Sequence, residues 1–173
     1  MSISWTKKAR HMNKKIFSKY RESKNYPQTI IDNEIIKLFK DSRLQHLIIV
    51  VLFKDKMIPK YCAPMLRRPN PKINIPINNN LVEIYFSAIK KNPAIEDGAI
   101  LIQADNGVPI LRGFSYRIYP PPLNVQRLKN MGSGYNSSLD FSGIERVVCV
   151  YFINKHGVKK IINGKILNLT KIE

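Results

Sequence analysis

Residues 99–118 read AILIQADNGVPILRGFSYRI, and their pattern decides the fold. Ala99-Ile-Leu-Ile102 is an apolar run, Asp105-Asn106-Gly107 a turn signal, and Val108 to Leu111 a second apolar run. Asn-Gly accepts the positive φ angles of a type I′ turn, so the stretch reads as a β-hairpin. Phe114, Tyr116 and Ile118 carry the alternation on until Pro120-Pro121-Pro122 holds the chain in an extended polyproline form.

Toward the C-terminus, Leu123 to Ser138 is rich in Asn, Gly and Ser and reads as a loop, and Ile144 to Ile153 as a buried strand. Asn154-Lys-His-Gly157 is a turn into two short strands, Val158 to Asn163 and Lys165 to Ile172. Toward the N-terminus, Leu47 to Phe53 is β-branched and aliphatic, as a buried strand should be. Ahead of it, Ile31, Ile35, Leu38 and Phe39 recur at helical spacing behind an N-cap at Thr29, with Asp32 placed in the first turn to suit the helix dipole. Val82, Ile84, Phe86 and Ala88 alternate with Glu83, Tyr85 and Ser87; a strand fits, and a short helix over the same residues stays open. Five prolines between Met57 and Pro76 forbid a regular helix there, so 57–76 reads as a long loop that displays Lys60, Arg67, Arg68 and Lys72 on a semi-rigid backbone. The expected class is α+β: a mostly antiparallel β-sheet packed with one or two helices, forming one domain over residues 27–173 behind a flexible basic arm at 1–26.

The charge is one-sided. Lys plus Arg is 29 against 12 for Asp plus Glu, a formal +17 in 173 residues, and such a field attracts anionic polymers or surfaces. The arm concentrates it, with Lys7, Lys8, Arg10, Lys14, Lys15 and Lys19 interleaved with Trp5 and Phe17. At 44% apolar residues the chain is rich enough to fold around one core. Two cysteines, Cys62 and Cys149, make no disulfide framework and show no zinc spacing, which favours a reducing compartment. No signal-peptide pattern opens the chain, and its longest apolar run, Leu47 to Phe53, is far below the roughly 20 residues of a membrane-spanning helix, so membrane contact is expected to be peripheral.

Groups able to catalyse are sparse. His11, His46 and His156 are scattered, without a metal-binding spacing. Asp97 and Asp105 flank one strand and Asp140 and Glu145 precede another, but no acid pattern of a nuclease emerges. The glycines of KNMGSGYNSS (129–138) do not spell a phosphate-binding Walker loop. Cys149 lies in an apolar strand, where a thiol is an inert small hydrophobe. The expectation is a binding protein with no catalytic residues, no metal and no cofactor.

Three segments carry a family resemblance: Gly98-Ala-Ile-Leu-Ile-Gln-Ala-Asp-Asn-Gly-Val-Pro109, Arg112-Gly-Phe-Ser-Tyr116 and Pro120-Pro-Pro-Leu-Asn-Val125, followed by Gly143-Ile-Glu-Arg-Val-Val-Cys-Val-Tyr-Phe152. Their order resembles the core of a rhabdovirus matrix protein of the plant-infecting branch, over about a third of the chain. A PPxY or PSAP budding motif is not found in the arm. The resemblance implies a non-enzymatic virion protein lying between nucleocapsid and envelope. It would polymerise with itself, condense the nucleoprotein–RNA coil, bridge it to an anionic membrane surface and meet the glycoprotein tail.

On that reading Lys7, Lys8, Arg10, Lys14, Lys15, Lys19, Lys60, Arg67 and Arg68 would face nucleocapsid or acidic lipid, and Trp5 and Phe17 would dip into the membrane interface. Ile100, Leu101, Ile102, Val108 and Ile110 would form a self-association segment. The rival from charge alone is a basic RNA-binding protein of ribosomal type, and a more distant one is a small ribonuclease-type toxin using His11, His46 or His156.

Overall fold

The computed structural model describes residues 27–104, 107–127 and 131–170. Its elements run α1 (Pro27–Lys40), β1 (Ile48–Phe53), β2 (Cys62–Pro64), β3 (Ile75–Pro76), α2 (Leu81–Lys91), a short 3-10 turn (Pro93–Glu96), β4 (Ala99–Gln103), β5 (Ile110–Ile118), α3 (Ser133–Phe141), β6 (Val147–Asn154), β7 (Gly157–Ile162) and β8 (Lys165–Asn168). Eight strands form one sheet in the order β2-β5-β4-β1-β6-β7-β8, with β3 also on β5. Among the described residues only β1 and β4 pair in parallel, Ile49 opposite Ala99 through Phe53 opposite Gln103, and the other ladders are antiparallel. The chain is thus α+β with a mostly antiparallel sheet. Among the described residues no helix is long and apolar enough to cross a membrane.

Why β1 is apolar at every position follows from where it sits. Ile48, Val50 and Leu52 point into a core shared with α1 and α2, and Ile49, Val51 and Phe53 into a second core under α3. A strand covered on both faces has no polar side to alternate with. The same holds for β4, where Ile100 and Ile102 join the first core and Ala99 and Leu101 the second. Ile100, Leu101 and Ile102 are therefore enclosed between β1 and β5, at 2% exposure or less, and present nothing to a neighbouring subunit. Of the expected self-association segment, Val108 is exposed and Ile110 half-buried. The hairpin itself is present as β4 and β5, while Asp105 and Asn106 lie outside the described residues.

Four expectations about elements change. The 82–88 stretch is helix, not strand: Leu81, Val82, Tyr85 and Ala88 are the buried positions of α2, a helical stripe that happens also to alternate in part. Within the expected loop at 123–138 the helix α3 begins at Ser133, and its Tyr135, Leu139 and Phe141 cover the second core, an anchoring that overrides the poor helix propensity of Gly and Ser. And α1 begins at Pro27, two residues before the expected cap, since a proline in the first turn lacks only an N–H that has no partner there. The proline-rich stretch is also not wholly loop, because β2 and β3 pair at the edge of β5, where a proline costs no interior ladder bond.

The α2 amino end is capped from another helix. Asn80, the residue before it, makes no side-chain cap, and the Leu81 amide instead donates to Glu34 Oε2 at 2.8 Å. Glu34 is fully buried, and its other oxygen takes a hydrogen bond from Lys37 Nζ at 2.7 Å. This carboxylate satisfies a helix donor, complements the helix dipole and ties α1 to α2.

Candidate ligand cleft

Opposite the face that holds α1 and α2, a cleft of about 320 Å³ opens where three segments converge: the turn before β4 (Glu96, Asp97, Gly98), the end of β5 (Tyr116, Arg117, Ile118) and the first turns of α3 (Ser133, Gly134, Ser137). Leu47, Ile49 and Ala99 supply apolar floor, and Met65 adds a thioether to the wall. Its volume is at the lower end of the roughly 300–1,000 Å³ typical of small-molecule sites, and it is more polar than most of them, polar and apolar groups sharing the lining about equally.

Gly98 shapes the cleft wall. Its φ is +98°, and a Cβ there would meet Met65 Cε at 2.5 Å and the Tyr116 carbonyl oxygen at 2.9 Å, so only glycine lets β4 begin this close to β5. Next to it, Asp97 accepts from Arg67 Nη2 at 2.8 Å while Arg67 Nε donates to Ser115 Oγ at 3.0 Å; that hydroxyl donates in turn to the Asp97 carbonyl at 2.7 Å. The Asp97 side chain remains 75% exposed. The guanidinium anchors the carboxylate and leaves part of it open for a ligand.

Glu96 is held from behind. His46 Nδ1 lies 3.5 Å from Glu96 Oε2, and His46 Nε2 shares a hydrogen bond with the Tyr85 hydroxyl. Burial, with the Glu96 carboxylate adding to it, pushes the Tyr85 phenol well above its ordinary range, so Tyr85 stays a neutral hydroxyl. A chain from Tyr85 through His46 thus ends on a cleft carboxylate. At the far side α3 starts without a side-chain cap, since its N-cap residue is Gly132, and the amide of Asn136 is the first to find the Gly132 carbonyl, at 3.2 Å. Gly134 leaves the wall open: an added Cβ would sit 3.7–3.9 Å from Ile49, Leu47 and Phe152, ordinary contact distances. Arg117 is the one cation among the lining residues.

Of the residues that the sequence singled out, Asp97 lines the cleft and His46 and Arg67 hold its two carboxylates, while the other candidates fall elsewhere. Lys7, Lys8, Arg10, Lys14, Lys15, Lys19, Trp5, Phe17 and His11 lie outside the described residues. Lys60 and Arg68 are exposed on the proline-rich segment, but Arg67 is not a free basic group, its charge being engaged by Asp97. His156 is exposed in the β6–β7 turn. Asp97-Gly98 before an apolar strand and Gly132-Ser-Gly134 are both visible in the sequence, but nothing in it brings them together. No group of three or more metal-ligating side chains occurs among the described residues.

Two solved structures share this fold. One, titled a hypothetical membrane spanning protein from Bacillus cereus, is similar with a TM-score of 0.57 and 14% identity, over 83% of this chain and 63% of that one. The likeness is one of fold. The other is DacA from Staphylococcus aureus, with a TM-score of 0.51 and 14% identity, over 83% of this chain and 85% of that one. The chain spans less than two thirds of the Bacillus cereus chain. No family model matches the chain, and no curated protein sequence matches it.

Proposed function

We propose that the cleft holds a small ligand with an anionic group and a compact apolar or ring-shaped body, and that the protein acts by binding it. The observation that carries this is the uncapped amino end of α3 opening on the cleft opposite Asp97 and Glu96. Free amides and the helix dipole favour an anion there, the carboxylates favour donors such as hydroxyl or amino groups, and Leu47, Ile49 and Ala99 favour apolar surface. Binding without covalent catalysis fits the thiols: burial pushes Cys62 up to about 11 and Cys149 to about 12, so neither supplies a thiolate near neutrality. Titration calorimetry with adenosine monophosphate and with inorganic phosphate tests the reading. Saturable binding of the nucleotide, weakened at least about ten-fold by Gly134→Leu, is expected. No heat with either probe, or equal affinity in the variant, would sink it.

The matrix role implied by the resemblance at 98–152 is the second reading, with itself, a nucleocapsid, an anionic membrane surface and a glycoprotein tail as partners. Two surface features favour it: the charge of +17, and β8, an edge strand exposed along its whole length, Ile166 and Leu167 included. An open edge is a template for pairing between copies. Sedimentation velocity on nuclease-treated protein, stepped from about 0.5 M to about 0.05 M salt, should then show reversible growth as screening weakens. A monomer throughout would remove intrinsic self-assembly.

A further inference from the structure

The edge ribbon of β2 and β5 has one covered face and one open face. Cys62 and Ile118 turn inward onto the second core. Cys62 pairs with Ile118 and Ala63 with Arg117, and the Tyr119 amide donates to the Tyr61 carbonyl at 2.9 Å, extending the register by one pair. Alternation puts Ala63, Arg117 and Tyr119 on the outward face, and Tyr61, whose φ of +61° lies outside the extended region, is placed beside Tyr119 by the contact of their rings. The two rings meet edge to face, 6.4 Å between centroids at 88°, and remain 43% and 54% exposed. Arg117 follows two positions from Tyr119 on the same face, beside the small Ala63, and exposed Lys60 adjoins Tyr61. Among the described residues neither Lys60 nor Arg117 has an acidic partner.

We infer that this face binds single-stranded nucleic acid, with bases stacking on Tyr61 and Tyr119 and phosphates neutralised by Lys60 and Arg117. Cations alone would attract any polyanion; two half-exposed aromatic rings beside them favour a partner that presents flat bases alternating with phosphates. A duplex hides those base faces within its own stack, so it gains the charge contacts only. The chain's +17 supplies the complementary field. The site lies on the outer face of the ribbon and is argued independently of the cleft ligand, although Arg117 borders both.

The test uses the full chain and a fluorescein-labelled oligothymidylate of about 15 nucleotides, near the upper end of the span such surfaces cover. Replacing Tyr61 and Tyr119 by Ala is expected to weaken binding by roughly ten-fold or more without changing the salt slope, and replacing both by Phe to retain it. Lys60→Gln with Arg117→Gln should instead lower the slope of log affinity against log salt by about 1.4, at roughly 0.7 per phosphate contact on a single strand. With the unaltered chain, photocrosslinking to 4-thiothymidine oligonucleotides should map to Tyr61 or Tyr119, a readout that needs no variant to fold. Equal affinity of the double Ala variant, equal affinity for a duplex of the same length, or crosslinks confined elsewhere would overturn the inference. Loss of binding to phosphatidylserine vesicles in the Ala variant, with oligonucleotide binding intact, would overturn it in favour of a membrane surface.

Discussion

Lys160 Nζ sits 2.8 Å from both carboxylate oxygens of Asp32, a residue 128 positions earlier, and the Tyr151 hydroxyl donates to the same carboxylate at 2.7 Å. The lysine is almost wholly buried on β7, so α1 is fastened to the far half of the sheet by one charged contact. Taking one partner away leaves a buried charge without its counter-ion. Asp32→Asn and Lys160→Met are each expected to lower unfolding free energy by about 2–4 kcal/mol, toward the lower end because Asp32 is partly solvated. The double variant should lose less than the sum, and urea unfolding of all four proteins reads the coupling.

Glu34 is a cap supplied from a distance. Removing its carboxylate orphans the Leu81 amide and opens a small void between two helices. Glu34→Ala is expected to cost about 2–3 kcal/mol, and Glu34→Gln less, because an amide oxygen still accepts from Leu81. Thermal unfolding of the two variants orders them.

The two cleft glycines should respond in opposite ways. Gly98→Ala forces an alanine to φ +98° and into the Tyr116 carbonyl, an expected loss of about 2 kcal/mol or more in a urea titration. Gly134→Ala lies inside α3, where the new methyl meets its neighbours at ordinary contact distances, and should stabilise by up to about 1 kcal/mol. The same methyl narrows the cleft.

Alkaline pH should unfold the protein early. Cys149 and Cys62 are raised by burial to about 12 and about 11, and burial lifts Tyr151 well above its ordinary value. A raised acid stays protonated in the native state while the unfolded chain releases its proton, so the stability is whole below about pH 9 and falls as pH rises toward 12. Urea midpoints at pH 7.5 and 10.5 are expected to drop, and the drop should shrink in Cys149→Ala.

Much of the sheet was legible because its strands are short apolar runs bounded by turn residues: β1, the β4–β5 hairpin and the β6–β8 meander fall where the residues placed them, give or take a few positions. What was not legible depended on covering. A period of two and a period of 3.6 coincide over Val82 to Ala88, and only packing against Glu34 and the first core decides for helix. Ser133 to Phe141 has the composition of a loop, and becomes helix because Tyr135, Leu139 and Phe141 close the second core. The cleft was hidden for the same reason, since it exists only once that helix stands opposite Asp97. The hairpin residues Ile100 to Ile102 were apolar because two layers bury them, not because a partner does.

The all-apolar strand β1 has a consequence for how the cleft can respond. Ile49 forms part of its floor, and the residues on either side, Ile48 and Val50, press on the layer that holds α1 and α2. One strand is therefore a common wall between two rooms. A ligand that pushes Ile49 aside must shift the helices behind it as well, and close-packed interiors resist that, so the cleft selects by the shape it already has.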